Sequence, residues 1–216
     1  VTRLDDERAH WDGLGATLES AQANVFSGLP PDAGLLACLF AIAPALRKGR
    51  ILDLGCGVGR LAIPIARAKA FAGYRTGEDL VLGVDISEAM LGHAGAAARE
   101  AGLTLQHLAF GYTDGRSLPD VRLHSAYSVL LFQHLPPDAV QSYLRQVAVL
   151  LVGGGVFRFQ FCEAAGESFE EGPFSFGYSA SDMCTWCRDA GLVVDDIDQG
   201  LIHPSWTWIT ARKAWA

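Results

Sequence analysis

The chain is short of charge, of cysteine and of long apolar runs, and each shortage excludes something. Charged residues make up 19% of its 216 positions, and the formal net charge is -7. No cluster of Lys and Arg interrupts that balance, so the basic face that a binder of phosphate backbones needs is missing. The five cysteines, Cys38, Cys56, Cys162, Cys184 and Cys187, are an odd number in a chain that is 50% hydrophobic. Such a chain can bury a core without a disulfide framework, and reduced thiols in a cytoplasmic protein are expected. The longest apolar run, Ala33 to Leu46, is broken by Pro44 and is too short to span a bilayer. The opening VTRLDDERAHW is charged and has no apolar signal region. The expectation is a soluble chain, monomer or homodimer, with no nucleic acid and no membrane as partner. The six histidines are scattered, and no metal site is expected.

What the chain does have is ILDLGCGVGR, Ile51 to Arg60. Ile51, Leu52 and Leu54 read as a buried strand in which Asp53 is the one charge. Gly55, Gly57 and Gly59 make a turn where the backbone can adopt positive φ and a ligand can touch it directly. Leu61, Ala62, Ile63 and Ile65 resume at helical spacing. A strand, a glycine turn and a helix N-terminus form a nucleotide-binding corner of an α/β sheet.

Around this corner the periods alternate. Before it, a weak helical pattern from Leu4 to about Leu18 puts Trp11, Leu14 and Leu18 on one face. A turn-rich joint (Asn24 to Asp32) and a second helix (about Asp32 to Leu46) follow. Residues 1–48 are expected as a helical cap on the domain formed by 49–216. After the corner come a strand at Val81 to Val84 closed by Asp85, and a helix capped by Ser87 and stopped by Gly102. Strands at Thr104 to Leu108 and Leu123 to Val129 flank a loop from Gly111 to Asp120. A helix opened by Pro136 and Pro137 runs to Leu151. Gly153 to Gly155 read as a hard turn before a fifth strand, Val156 to Cys162. Glu163 to Tyr178 reads as a loop, Ser181 to Ala190 as a helix, and Val193 to Ile197 and Trp206 to Ala211 as the last strands. Alternation implies a mostly parallel sheet with helices on both faces. The final connection is too short for a crossover, so its strands must be antiparallel.

With five landmarks in order, the sequence resembles the class I S-adenosylmethionine-dependent methyltransferases. They are ILDLGCGVGR, GVDIS (Gly83 to Ser87), TDGRSLPD (Thr113 to Asp120), YSVLLFQHLPP (Tyr127 to Pro137) and LLVGGGVFRFQF. The resemblance implies a Rossmann-like seven-stranded sheet of order 3-2-1-4-5-7-6 with strand seven antiparallel. It implies transfer of a methyl group from S-adenosyl-L-methionine, leaving S-adenosyl-L-homocysteine, to an O or N atom of a small-molecule acceptor. One departure is Leu123-His124, where the family often has Phe-Asp. A non-catalytic cofactor-binding protein of the same fold is the alternative. A dehydrogenase is disfavoured because Arg60 stands where the dinucleotide fingerprint needs its third glycine.

Site residues follow from the register. Asp85, about thirty residues after the corner, can accept both ribose hydroxyls, with Ile86 and Met90 against the adenine. By the resemblance, Asp114 receives the adenine amine and the Gly115 amide a ring nitrogen, beside Thr113. Asp53, Gly55, Cys56, Gly57 and Gly59 face the methionyl part, and Ser128 and Val129 end strand four near the ligand ammonium. Cys56 is read as a small residue that fits, not a nucleophile. Arg60 either reaches the ligand carboxylate or lies in solvent. His134 is either a general base or a histidine packed against Pro136, and Glu163 is a comparable candidate. His10 and His203 are weaker. Cys184 and Cys187 form a C-x-x-C, but Met183, Trp186, Cys187 and Ala190 trace an apolar helix face, which favours core over redox or zinc chemistry. Trp11, Phe26, Phe132, Phe174, Phe176 and Trp206 are candidates for an aromatic substrate pocket.

Overall fold

The computed structural model describes residues 3–26, 49–73, 79–114, 117–164, 169–170 and 175–215. The expected helix over 32–46, Cys38, Gly115 and Phe174 lie outside these residues, as does the side chain of Phe26.

The sheet is built from β1 (Ile51–Leu54), β2 (Val81–Asp85), β3 (Leu108–Tyr112), β4 (Leu123–Ser128), β5 (Leu151–Cys162), β8 (Leu192–Gln199) and β9 (Trp206–Lys213). Its order is β3-β2-β1-β4-β5-β9-β8, and β9 runs antiparallel to both of its neighbours. This is the expected order, renumbered because two short strands, β6 (Phe169–Glu170) and β7 (Phe176–Gly177), pair with each other between β5 and the last two. Among the described residues the α-helices are α1 (Arg3–Leu14), α2 (Leu18–Phe26), α3 (Ala62–Phe71), α4 (Glu88–Glu100), α5 (Pro137–Leu150) and α6 (Ala180–Asp189).

The two faces of the sheet carry different chemistry, and β5 shows why. Its run FRFQF alternates with the period of a strand. Phe157, Phe159 and Phe161 join a core with Leu54, Leu144 and Met183. Arg158 and Gln160 point to the other face and are also fully buried. The Arg158 guanidinium donates to Asp198 Oδ2 at 2.8 Å and to the Thr210 hydroxyl, and lies 5.2 Å from the Trp208 ring. That face is otherwise closed by Ile51, Ile65, Tyr127 and Trp208. On α5, Val140, Tyr143, Leu144 and Val147 are buried as their spacing predicts. In α4 the Ser87 hydroxyl accepts from the Met90 amide at 3.2 Å, the expected cap.

Three expectations are corrected. The third strand starts at Leu108, not Thr104, because Thr104 to His107 close a turn: the His107 amide donates to the Thr104 carbonyl at 2.9 Å, and Leu105 is 81% exposed. The glycine run is not a hard turn but the start of a twelve-residue strand. The register slips there, so Leu123 pairs with Leu151 but Ser125 with Val156, with Gly154 at φ 74°. A Cβ on Gly154 would meet the Trp215 ring at 2.1 Å. The N-terminal pattern is two helices rather than one. α1 stops at Leu14, and α2 starts at Leu18 behind Thr17, whose hydroxyl accepts from the Ser20 amide at 3.1 Å.

α1 is docked by its own polar residues. Asp12 Oδ1 accepts from the Ser87 hydroxyl at 2.6 Å, and His93 Nε2 lies 2.9 Å from the Gly15 carbonyl. Trp11 and Leu14 pack against a small cluster of Ala21, Val58 and Met90.

Candidate active site

The carboxyl ends of β1, β2 and β4 converge on one pocket, which α1 and α5 complete. This is where open α/β sheets hold ligands. Its floor is the glycine corner. Gly55, Gly57 and Gly59 all have positive φ, as a turn this tight requires. The Gly55 and Cys56 amides donate to the Val84 carbonyl at 2.9 and 3.0 Å, tying the corner to β2. A Cβ at Gly59 would come within 3.0 Å of Ile63 and 3.1 Å of Phe110, so this glycine lets the turn lie close on its own helix.

Asp85 closes β2 and faces the corner. Its Oδ2 accepts from the Gly57 amide at 2.8 Å and its Oδ1 from the Ser87 amide at 3.0 Å. Burial raises its pKa, these backbone donors lower it, and Asp12 raises it. Each oxygen keeps acceptor capacity beyond the one amide it holds. Asp53 is more deeply enclosed, and its pKa is pushed up to about 7, chiefly by burial, against the lowering effects of the Tyr127 hydroxyl, the Ala62 amide and Arg60. Tyr127 is fully buried and its hydroxyl makes no hydrogen bond of regular geometry, so its help to Asp53 is partial. Burial also drives the Cys56 thiol well above its ordinary value, which fits an inert, space-filling cysteine.

The opposite wall starts at the end of β4. Leu130 holds φ 60°, an uncommon conformation for a leucine. It is fixed by its amide, which donates to Gln160 Oε1 at 2.8 Å. Gln160 in turn donates to Gln133 Oε1 at 3.2 Å, which the Cys162 thiol also approaches at 3.2 Å. The Gln133 amide nitrogen lies 3.4 Å from His134 Nε2, and the His134 ring meets Trp11 edge-on at 5.1 Å. His134, in the single turn Phe132–His134, is thus framed by a relay from β5 on one side and by α1 on the other.

A protein-family model described as a methyltransferase domain matches residues 51–155, from the first sheet strand into β5. The 27-O-demethylrifamycin SV methyltransferase of Amycolatopsis mediterranei is 32% identical over 149 residues, 68% of this chain and 47% of that protein. The chain therefore spans about half the length of that curated relative. The chain belongs to the class I S-adenosylmethionine-dependent methyltransferase family. Its fold is that of the S-adenosylmethionine-bound magnesium protoporphyrin IX methyltransferase of Synechocystis, with TM-score 0.73 at 17% identity over 99% of this chain and 98% of the other. It is also that of the 4+2 cyclase SpnF, with TM-score 0.68 at 21% identity over 85% and 82%.

Of the residues expected from the sequence, Asp53, Gly55, Cys56, Gly57, Asp85, Ile86, Met90, Thr113, Val129 and His134 line the pocket of this methyltransferase domain. Ser128 is buried behind it, its hydroxyl donating to the Leu54 carbonyl at 2.9 Å. Asp114 is not among the lining residues; it accepts from the Ser117 amide at 2.9 Å and the Ser117 hydroxyl at 3.1 Å, an Asp turn next to the lining residue Thr113. Glu163 is not brought to the pocket. Its carboxylate accepts from Gln199 at 2.9 and 3.0 Å and from the Thr207 hydroxyl, just past the carboxyl end of β5. Of the aromatic candidates, Trp11 reaches the pocket, whereas Phe132 and Trp206 are core and Phe176 stacks on Tyr178. Cys184 and Cys187 lie on α6 with Met183 in the core, and burial raises both thiols, Cys187 to about 12. Arg60 is a lining residue.

Sequence reasoning missed Glu7 and Tyr143. Tyr143 could have been found, since its place in the α5 repeat aims it at the sheet; it is buried, with its phenol raised to about 12. Glu7 sits in the charged run LDDERAH, which reads as a solvated face.

Proposed function

We propose that this chain binds S-adenosyl-L-methionine on the glycine corner and transfers its methyl group to an O or N atom of a small-molecule acceptor. The observation that carries the reading is the floor of the pocket. The Gly57 amide and Asp85 are locked together at 2.8 Å beside the buried Asp53. Both carboxylates are raised by burial, which leaves the site short of positive charge. An ammonium and a sulfonium would supply it, so the residues present fit the cofactor.

Bound there, the cofactor supplies a methyl group activated on a cationic sulfur. The residues of the chain bind, orient and exclude water. Asp85 accepts from the ribose hydroxyls, Ile86 and Met90 flank the adenine, and Asp53 faces the methionyl ammonium. Asp114, Gly115 and Thr113 take the adenine edge. His134, framed by Gln133 and Trp11, faces the acceptor. The Gln133 side chain, 3.4 Å from Nε2, holds the ring in place. We further propose residues 1–48 as a cap on this domain. The acidic chain, at net charge -7, suits a small molecule rather than a nucleic acid, in a cytoplasmic protein. Among the described residues no helix is long and apolar enough to cross a membrane.

A second reading is a protein that holds the cofactor without methyl transfer. It is favoured by one observation, that a fold neighbour is a cyclase. Incubation with methyl-labelled cofactor and a small-molecule extract separates the two. Label appearing in an extract compound supports the first reading. Cofactor binding with no label transferred across a broad extract panel supports the second.

A further inference from the structure

α1 brings two residues to the pocket from adjacent turns, Glu7 and Trp11, as the four-residue spacing of a helix dictates. The helix is pinned at both ends of this pair. Arg3 lies 4.8 Å from the Phe176 ring, Arg8 lies 5.2 Å from the Tyr112 ring, and Asp12 accepts from Ser87. Glu7 is therefore presented by a fixed element. It is 2% exposed, and its Oε1 makes no hydrogen bond. Arg3 Nε lies 3.7 Å from that oxygen, an ion pair longer than a regular hydrogen bond. A buried carboxylate oxygen without a donor is costly and calls for one from whatever fills the pocket.

The surroundings narrow the donor. Arg3 already supplies the cation for Glu7, and the pocket that Glu7 lines is walled in part by Trp11, Leu131, Leu135 and the neutral Gln133. A second full positive charge is not needed there, and a flat apolar body is accommodated. We propose, resting on the cofactor reading above, that Glu7 is the proton acceptor for a hydroxyl borne by a flat, largely apolar acceptor such as a phenol, with Trp11 as its wall. The hydroxyl oxygen forms the new C–O bond with the methyl carbon, the C–S bonding pair stays on sulfur, and the hydroxyl proton passes to Glu7 Oε1.

The charged and titratable groups around Glu7 are consistent with this role. Burial raises its pKa, Arg3 lowers it, and Asp138 at the start of α5 raises it. Tyr143 on α5 feels the charge of Glu7 as well, and His134, Asp53, Asp85 and Arg60 share the same pocket. A carboxyl raised above its ordinary value is a stronger base than an ordinary one.

The test uses the whole chain loaded with S-adenosylhomocysteine and 2-naphthol as the probe. Calorimetry is read together with the carbonyl shift of Glu7 in protein carrying labelled glutamate. The expected results are binding of 2-naphthol that moves the Glu7 signal, and at least tenfold weaker binding in Glu7→Gln and in Trp11→Ala. Affinity for S-adenosylhomocysteine should stay within twofold of wild type in both, and Glu7→Asp should recover part of the loss. Equal 2-naphthol affinity in wild type and Glu7→Gln overturns the proposal, and so does no binding of 2-naphthol to the loaded protein. Failure of S-adenosylhomocysteine to bind wild type is a separate result, which overturns the cofactor reading instead.

Discussion

Cofactor binding should release a proton, and the source is Asp53. This carboxyl titrates near pH 7 in the fold, chiefly because it is buried, and near 4 in an unfolded chain. The folded state is then the tighter proton binder between those values. Stability of the free protein falls as pH rises from about 4 to about 7, by no more than roughly 4 kcal/mol. A ligand ammonium placed beside Asp53 reverses the cause of the shift. If it returns the carboxyl below about 5, then at pH 6 about 0.8 proton leaves on binding, and almost none at pH 9. Affinity for S-adenosylhomocysteine should climb with pH up to about 7 and then level off with respect to this group. The assay is calorimetry at pH 6 in two buffers of different ionisation enthalpy. The difference in observed heat gives the proton count, and Asp53→Asn should erase it. Proton uptake at pH 6, or a count unchanged in Asp53→Asn, would refute the assignment of Asp53 to the ligand ammonium.

Arg158→Met should destabilise the fold by about 3 kcal/mol in urea unfolding, because it strands Asp198 and Thr210 beside a buried face. An unchanged midpoint would mean that the pair contributes nothing net. Glu163→Gln should lower the unfolding midpoint while leaving S-adenosylhomocysteine affinity within twofold, since its carboxylate is held by Gln199 and Thr207 just past the carboxyl end of β5. A tenfold loss of affinity would instead return Glu163 to the site.

The order of the sheet was legible in the sequence because it rests on coarse signals. These are glycines at the corner, an acid ending β2, paired prolines opening α5 and a closing connection too short for a crossover. Edges were less legible where side chains intervene. Thr104 and His107 bind each other at 3.0 Å and hold back the start of β3, and the Trp215 ring lying on Gly154 lets the glycine run continue as a strand. The glycine-corner side of the pocket was largely legible because it follows backbone landmarks, and ten of the residues expected from the sequence line one cavity. The wall facing that corner was not. Glu7 and Gln133 reach it through the docking of α1 on α4 and through a glutamine relay from β5. Both are tertiary contacts with no period in the sequence.

The central claim is that the glycine corner and Asp85 hold S-adenosylmethionine. Calorimetric titration of S-adenosylhomocysteine into wild type and Asp85→Ala tests it most directly. Saturable one-site binding to wild type is expected, with at least tenfold weaker binding to the variant, a loss of about 1.4 kcal/mol or more, and the variant still folded by circular dichroism. Equal affinity in the two proteins, or no binding to wild type, would contradict it.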